Sequence, residues 1–162
     1  MRLLTAAIAI GFAVSLPGLA LSAPTPIPGG ANQAKAVSGT LGQMLFNGKI
    51  RLKIDTVREE TAAESADASL PADQKMILIQ GIVRNGMAET ITVRPDYKLA
   101  DKDDVTQANS GPPTGMQTVT MAQGAAGRLK YRMPVPKDFV PVKLLVDPSS
   151  LLGVPFRITL SR

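Results

Sequence analysis

Basic side chains recur at every second residue in two stretches of this chain. Lys49, Arg51 and Lys53 alternate with Ile50, Leu52 and Ile54, and Arg128, Lys130 and Arg132 alternate with Leu129, Tyr131 and Met133. In extended backbone successive side chains point to opposite faces, so each stretch sets a row of cations behind a row of apolar groups. The chemistry open to such rows is recognition of anions, by charge and by the forked N–H donors of arginine. These six residues are the candidate face for an anionic partner. If the two rows share a sheet, they make one positive surface. If they lie on separate sheets or edges, they serve to keep strand edges from pairing with other chains.

Other chemistries lack their residues. The 162-residue chain carries 18 Lys and Arg against 13 Asp and Glu, a formal charge of +5, and it has no His, Cys or Trp. Without imidazole or thiol there is no His-based triad, no thiol nucleophile and no usual ligand set for zinc or copper. No serine sits in a Gly-x-Ser-x-Gly context, and Gly124-Ala125-Ala126-Gly127 lacks the Lys-Ser/Thr that a phosphate-cradling loop requires. Asp101, Asp103 and Asp104 gather oxygen ligands, but their spacing does not match a calcium loop, and a solvated turn is expected. The 7 methionines are spread singly through apolar segments, as core filler. The expectation is a non-enzymatic protein with no cofactor and no metal.

Strands must position the basic rows. Met76 to Val83 is the longest apolar run beyond the N-terminus, rich in β-branched residues, and Arg84-Asn85-Gly86 follows it. It predicts a central strand with Ile77, Ile79, Gly81 and Val83 facing the core, turning at Asn85-Gly86 into a partner strand on which Ile91 and Val93 point inward. Met44-Leu45-Phe46, the turn Asn47-Gly48 and residues 49–57 predict a hairpin. Glu59 to Gln74 holds Glu59, Glu60, Glu64, Asp67 and Asp73 and no basic residue. With no apolar stripe to dock a helix it reads as a mobile acidic loop, able to fold back on the basic rows. A short strand is expected around Tyr97 and Leu99, then loop over 106–115 with Gly111-Pro112-Pro113. Strands follow over 117–121, 128–133, 140–146 and 156–160, with Pro134-Val135-Pro136-Lys137-Asp138 as a connection. About eight short strands, with 13 Pro and 14 Gly, predict an all-β fold, an antiparallel β-sandwich.

The N-terminus carries an address. Met1-Arg2 is a positive start, Leu3 to Val14 is apolar, Pro17-Gly18 breaks the helix, and small residues follow in Ala20-Leu21-Ser22-Ala23. This is the layout of a secretory signal peptide. Cleavage after Ser22 suits the small residues at Ala20 and Ser22, while cleavage after Ala20 or Ala23 stays open. The apolar stretch falls short of the about 20 residues needed to span a bilayer. No second long run exists and no Cys follows for lipid attachment. The expected organisation is therefore 1–22 signal peptide, 23–40 Pro/Gly-rich leader and 41–162 β-sandwich, exported to the periplasm or outside the cell, with no transmembrane segment in the mature chain. Two readings of the leader stand: a flexible tail, or a tether or strand given to a neighbouring subunit.

Three pieces of the chain occur in a telling order. They are Ile82-Val83-Arg84-Asn85-Gly86, then Tyr97-Lys98-Leu99-Ala100-Asp101, then Ala122-Gln123-Gly124 leading to Gly127-Arg128-Leu129-Lys130-Tyr131-Arg132-Met133-Pro134. This order resembles the small immunoglobulin-like (telokin-like) extracytoplasmic domains of bacterial secreted proteins and lipoproteins, over roughly residues 41 to 160. The resemblance implies an immunoglobulin-like sandwich with a binding or accessory role, and it carries over no catalytic residue. The chain departs from the pattern in lacking a lipid-attachment Cys and in its 59–74 insertion. It also lacks the inter-sheet Cys pair and buried Trp of antibody domains. Tyr131, two residues before Met133, has two readings: the hydrogen-bonding tyrosine of a strand corner, or a plain core residue.

The functional expectation is an exported binding or accessory module of the cell envelope, whose partner is an envelope protein or an anionic glycan or lipid. Nucleic acid is not an expected partner, because the chain is exported and its basic rows lack interleaved exposed aromatics. The alternative is a self-assembling subunit that adds a strand from its leader to the next copy.

Overall fold

A computed structural model describes residues 35–108 and 118–160. The expected signal peptide, the first part of the leader and Gly111-Pro112-Pro113 lie outside these residues. Eleven strands occur among the described residues. They are β1 Val37–Thr40, β2 Met44–Phe46, β3 Ile50–Glu59, β4 Gln74–Asn85, β5 Ile91–Val93, β6 Asp96–Ala100, β7 Thr106–Ala108, β8 Val119–Met121, β9 Ala126–Pro136, β10 Lys143–Asp147 and β11 Phe156–Thr159. One sheet has the order β2-β3-β4-β9, a second has β1-β11-β10-β6-β7, and β5 pairs with β8 in a two-stranded ribbon. The chain is an all-β sandwich, as the turn density and alternation predict. Among the described residues no helix is long and apolar enough to cross a membrane.

The core follows from strand alternation. Ile50, Leu52 and Ile54 of β3, Ile77, Ile79 and Val83 of β4, and Leu129, Tyr131 and Met133 of β9 are all buried. They join Tyr97 and Leu99 of β6, Leu144 and Val146 of β10, and Phe156 and Ile158 of β11 in one cluster between the two larger sheets. Ile91 and Val93 of β5 face the same core. The two tyrosines of the chain meet there: the rings of Tyr97 and Tyr131 stack at 4.6 Å with 18° between their planes. Tyr131 is therefore a core residue that ties one sheet to the other.

Gly81 faces the core where β3 and β4 approach closely. A β-carbon at this position would lie 2.3 Å from the Lys53 carbonyl oxygen and 2.9 Å from Ile54 Cδ1. The register of β3 against β4 shifts here, between Ile54 and Thr56, leaving Asp55 as the extra residue of a bulge. Only a residue without a side chain lets the two backbones close up at that step.

Several expectations need correction. The β2–β3 hairpin forms, but its turn is centred one residue later than Asn47-Gly48. Asn47 N–H donates to Ile50 O at 3.3 Å, and Gly48 takes φ 93° at the first central position. β5 does not pair with β4. Asn85 ends β4 with a buried side chain that donates to Glu89 O at 2.6 Å and Met121 O at 3.1 Å and accepts from Met87 N–H at 2.8 Å. Those bonds lead the chain away from the sheet, and the second side of β4 is taken by β9 over the whole length from Arg84↔Ala126 to Gln74↔Pro136. β9 thus runs on through Pro134 and Pro136, expected in a connection. It is an edge strand, where a residue with no N–H is tolerated.

Residues 106–108, expected as loop, form β7 on the edge of β6. Residues 37–40, expected in the leader, form β1, which pairs in parallel with β11 of the same chain. The sandwich is therefore antiparallel except at this one ladder among those described, and it has eleven strands where about eight were expected.

Candidate functional site

Apart from Lys49, the two basic rows share one face of one sheet. β3 and β9 lie on either side of β4, and cross-strand register carries residues straight across. The first step across the outer face reads Phe46, Arg51, Arg84 and Ala126. The next reads Met44, Lys53, Ile82 and Arg128. Beyond the bulge come Thr56, Gln80 and Lys130, and then Arg58, Leu78 and Arg132. A groove of about 400 Å³ crosses Gln80 and Ile82 between Asp55 on one side and Arg128 and Lys130 on the other.

The far end of this face is closed by the acidic segment. Thr61 and Glu64 bond reciprocally: Thr61 N–H donates to Glu64 Oε2 at 2.8 Å, and Glu64 N–H donates to Thr61 Oγ1 at 3.3 Å. Such a capping pair starts a helical turn, and Ser65 N–H does reach Thr61 O at 3.1 Å. No helix grows from it, as the missing apolar stripe predicts.

Charge docks the segment instead. Arg58 holds Glu64 through two N–H donors, at 2.8 and 2.5 Å. Arg132 donates to Glu60 three times at 2.8 to 3.0 Å, to both Asp67 oxygens at 2.9 Å, and to Glu64 O at 3.0 Å. Beneath this cover Met76 and Leu78 are buried although they point away from the core. A cleft of about 410 Å³ remains there, lined by Asp67, Leu70, Met76 and Arg132 among others.

The titration behaviour follows from these contacts. Hydrogen bonds from Arg58, and then from Thr61, hold the Glu64 carboxyl well below the usual carboxylate range. Hydrogen bonds from Arg132 lower the pKa of Asp67, and the Asp67 and Glu60 carboxylates in turn raise the already high pKa of Arg132. This end of the face neutralises itself.

The six predicted site residues therefore divide. Arg51, Lys53, Arg128 and Lys130 lie on the common face. Lys53 is paired with Asp55 at 2.7 Å. Lys49 belongs to the hairpin turn, and its ammonium donates to Leu151 O at 2.7 Å. Arg132 is taken up by Glu60 and Asp67, so its expected place on an open anion-binding row is corrected. Its guanidinium donors are already engaged by acceptors within the chain. The residue missed is Arg84, directly opposite Arg51. The even-numbered series Gln80, Ile82, Arg84 contains it, but the apolar run stops at Val83 and hides that the strand continues. Arg51 also stacks over the Phe46 ring, 4.5 Å from its centroid. Arg84 and Arg128 make no ion pair among the described residues.

The acidic turn has a structural use. Asp101 Oδ1 accepts from Asp103 N–H and Val105 N–H, both at 2.9 Å, and Asp104 pairs with Lys143 at 2.7 Å. Among the described residues no group of three or more acids is placed to hold a metal ion.

No family model and no curated protein matches this chain. Solved structures do share its fold. The yjhA protein of Bacillus subtilis matches with TM-score 0.50 at 13% identity, covering 75% of this chain and 98% of its own. MPT63, a secreted protein of Mycobacterium tuberculosis, matches with TM-score 0.51 at 17% identity, covering 78% of this chain and 99% of its own. At these identities the likeness speaks to the fold alone.

Proposed function

We propose that this protein is an exported, non-enzymatic accessory module that holds an anionic partner on the open end of its basic sheet face. The observation that carries the reading is the direct pairing of Arg51 with Arg84 on an exposed face. Like charges directly opposite each other weaken a sheet by about 0.2–1 kcal/mol. A bound anion converts that repulsion into paired, forked hydrogen bonds. Edge protection is a poor account of the pair, because β3 and β4 are both internal strands. Arg128 and Lys130 extend the field along β9.

Export is supported by the N-terminal pattern and by the secreted character of one protein that shares the fold. The finer assignment to the immunoglobulin-like, telokin-like class rests on the motif order given above. The partner is an envelope protein or an anionic glycan or lipid. The alternative, a subunit that donates its leader as a strand, has less behind it, since residues 37–40 are already paired with β11 of their own chain.

The test is titration with a soluble polyanion such as dextran sulfate at low and high salt. Binding should weaken steeply as salt rises, and it should be lost in the double variant Arg51→Glu/Arg84→Glu. Binding that survives this reversal rules the face out.

A further inference from the structure

We infer that the hairpin end of this face docks on an anionic lipid surface, with apolar side chains entering the interface and the basic row meeting the phosphates. The inference rests on the anion-binding reading of that row and names its partner. Six large hydrophobic side chains are exposed among the described residues, and four of them, Met44, Phe46, Leu151 and Val154, lie at this one end. Scattered apolar residues need no explanation, but a contiguous group does.

Hydrogen bonds hold together the two segments that carry this group. Leu152 is buried in the core and anchors the short 3-10 turn Ser150–Leu152, while its neighbour Leu151 is 80% exposed. Asn47 Nδ2 donates to Leu152 O and Val154 O, both at 2.9 Å, which pins this loop to the β2–β3 turn. Lys49 Nζ binds Leu151 O, and Phe46 sits under the Arg51 guanidinium, next to Arg84. Exposed leucine and phenylalanine held rigidly among Lys49, Arg51 and Arg84 have the composition of an interfacial membrane contact. A phosphate-rich surface satisfies both halves at once.

The other end of the sandwich provides a contrast. Val105 and Val140 are exposed there, and Val140 shares its patch with Asp101, Asp103 and Asp138 and with one base, Lys102. At the hairpin end the acids Asp96 and Asp147 lie on the other sheet, while Lys49, Arg51 and Arg84 stand beside the apolar group, so charge favours that side of the hairpin end for an anionic surface.

The experiment uses the chain from residue 23, which keeps every described residue. It is sedimented with vesicles of phosphatidylcholine alone and with vesicles containing phosphatidylglycerol, and titrated in parallel with dextran sulfate. The expected result is binding to the anionic vesicles only. The neutral variants Leu151→Gln and Val154→Ser should reduce that binding at least tenfold and leave dextran sulfate binding unchanged. Unchanged vesicle binding in both variants overturns the inference. Dextran sulfate binding without any vesicle binding also overturns it but leaves the basic-face reading standing. Absence of both kinds of binding overturns the two together.

Discussion

Arg132 and Glu60, 72 residues apart in the chain, meet through three N–H···O hydrogen bonds of 2.8 to 3.0 Å. The Glu60 side chain is only 4% exposed and that of Arg132 is 25% exposed, so the pair sits at the floor of the acidic cover. It turns what the sequence presents as a free cation into the clasp of a loop.

The first prediction concerns that clasp. Arg132→Ala leaves the Glu60 carboxylate buried without its partner, a change expected to cost about 3 kcal/mol in urea unfolding. Asp67→Asn, on the exposed side of the same guanidinium, should cost far less. Equal losses in the two variants would show that burial does not set the strength of these contacts.

Acid should loosen the cover. Glu64 and Asp67 have pKa values lowered by Arg58 and Arg132, respectively. Their contribution to stability is complete above the unfolded carboxylate range, about 3.9 to 4.3, and is lost as pH falls through the lowered folded values. The urea midpoint should therefore hold from neutral pH to about pH 5 and fall below about pH 4. The variant Glu64→Gln/Asp67→Asn should show a shallower fall. A midpoint that rises on acidification would contradict the sign of both shifts.

The Tyr97–Tyr131 stack gives a direct optical reporter, since the chain has 2 Tyr and no Trp. Burial raises the Tyr97 hydroxyl pKa well above the usual phenol range. On alkaline titration the folded protein should therefore release the Tyr97 proton only as its structure is lost. Tyr97→Ala should remove about 3–5 kcal/mol and abolish the near-ultraviolet signal of the pair. Early ionisation of both phenols would refute the packing described.

Gly81 should tolerate no side chain. Gly81→Val places carbon atoms against the Lys53 carbonyl and Ile54, and is expected to cost at least about 1–3 kcal/mol. A stable variant would mean that the bulge at Asp55 can move.

How much of this was legible depends on the range of the interactions. Alternation is local, so the inward sets Ile50-Leu52-Ile54 and Leu129-Tyr131-Met133 could be read directly from spacing. The pairing of β4 was not local. Asn85-Gly86 is a turn signal, yet the Asn85 side chain reaches Met121, 36 residues on, and β9 fills the edge where a hairpin strand was expected. β7 escaped because Thr106-Gln107-Ala108 has no apolar alternation and is held only by the edge of β6. At the site, Arg51, Lys53, Arg128 and Lys130 were visible as a pattern. The removal of Arg132 was not, because it depends on carboxylates 65 and 72 residues away. Arg84 was hidden by an apolar run that ends before its strand does.

The most direct test compares the two ends of the face in one assay. Dextran sulfate is titrated at low salt into the parent protein, Arg84→Glu and Arg132→Gln, with folding checked by the tyrosine signal. The open-end account predicts that Arg84→Glu loses binding at least tenfold, while Arg132→Gln, although less stable, binds like the parent. Normal binding by Arg84→Glu together with lost binding by folded Arg132→Gln would contradict it.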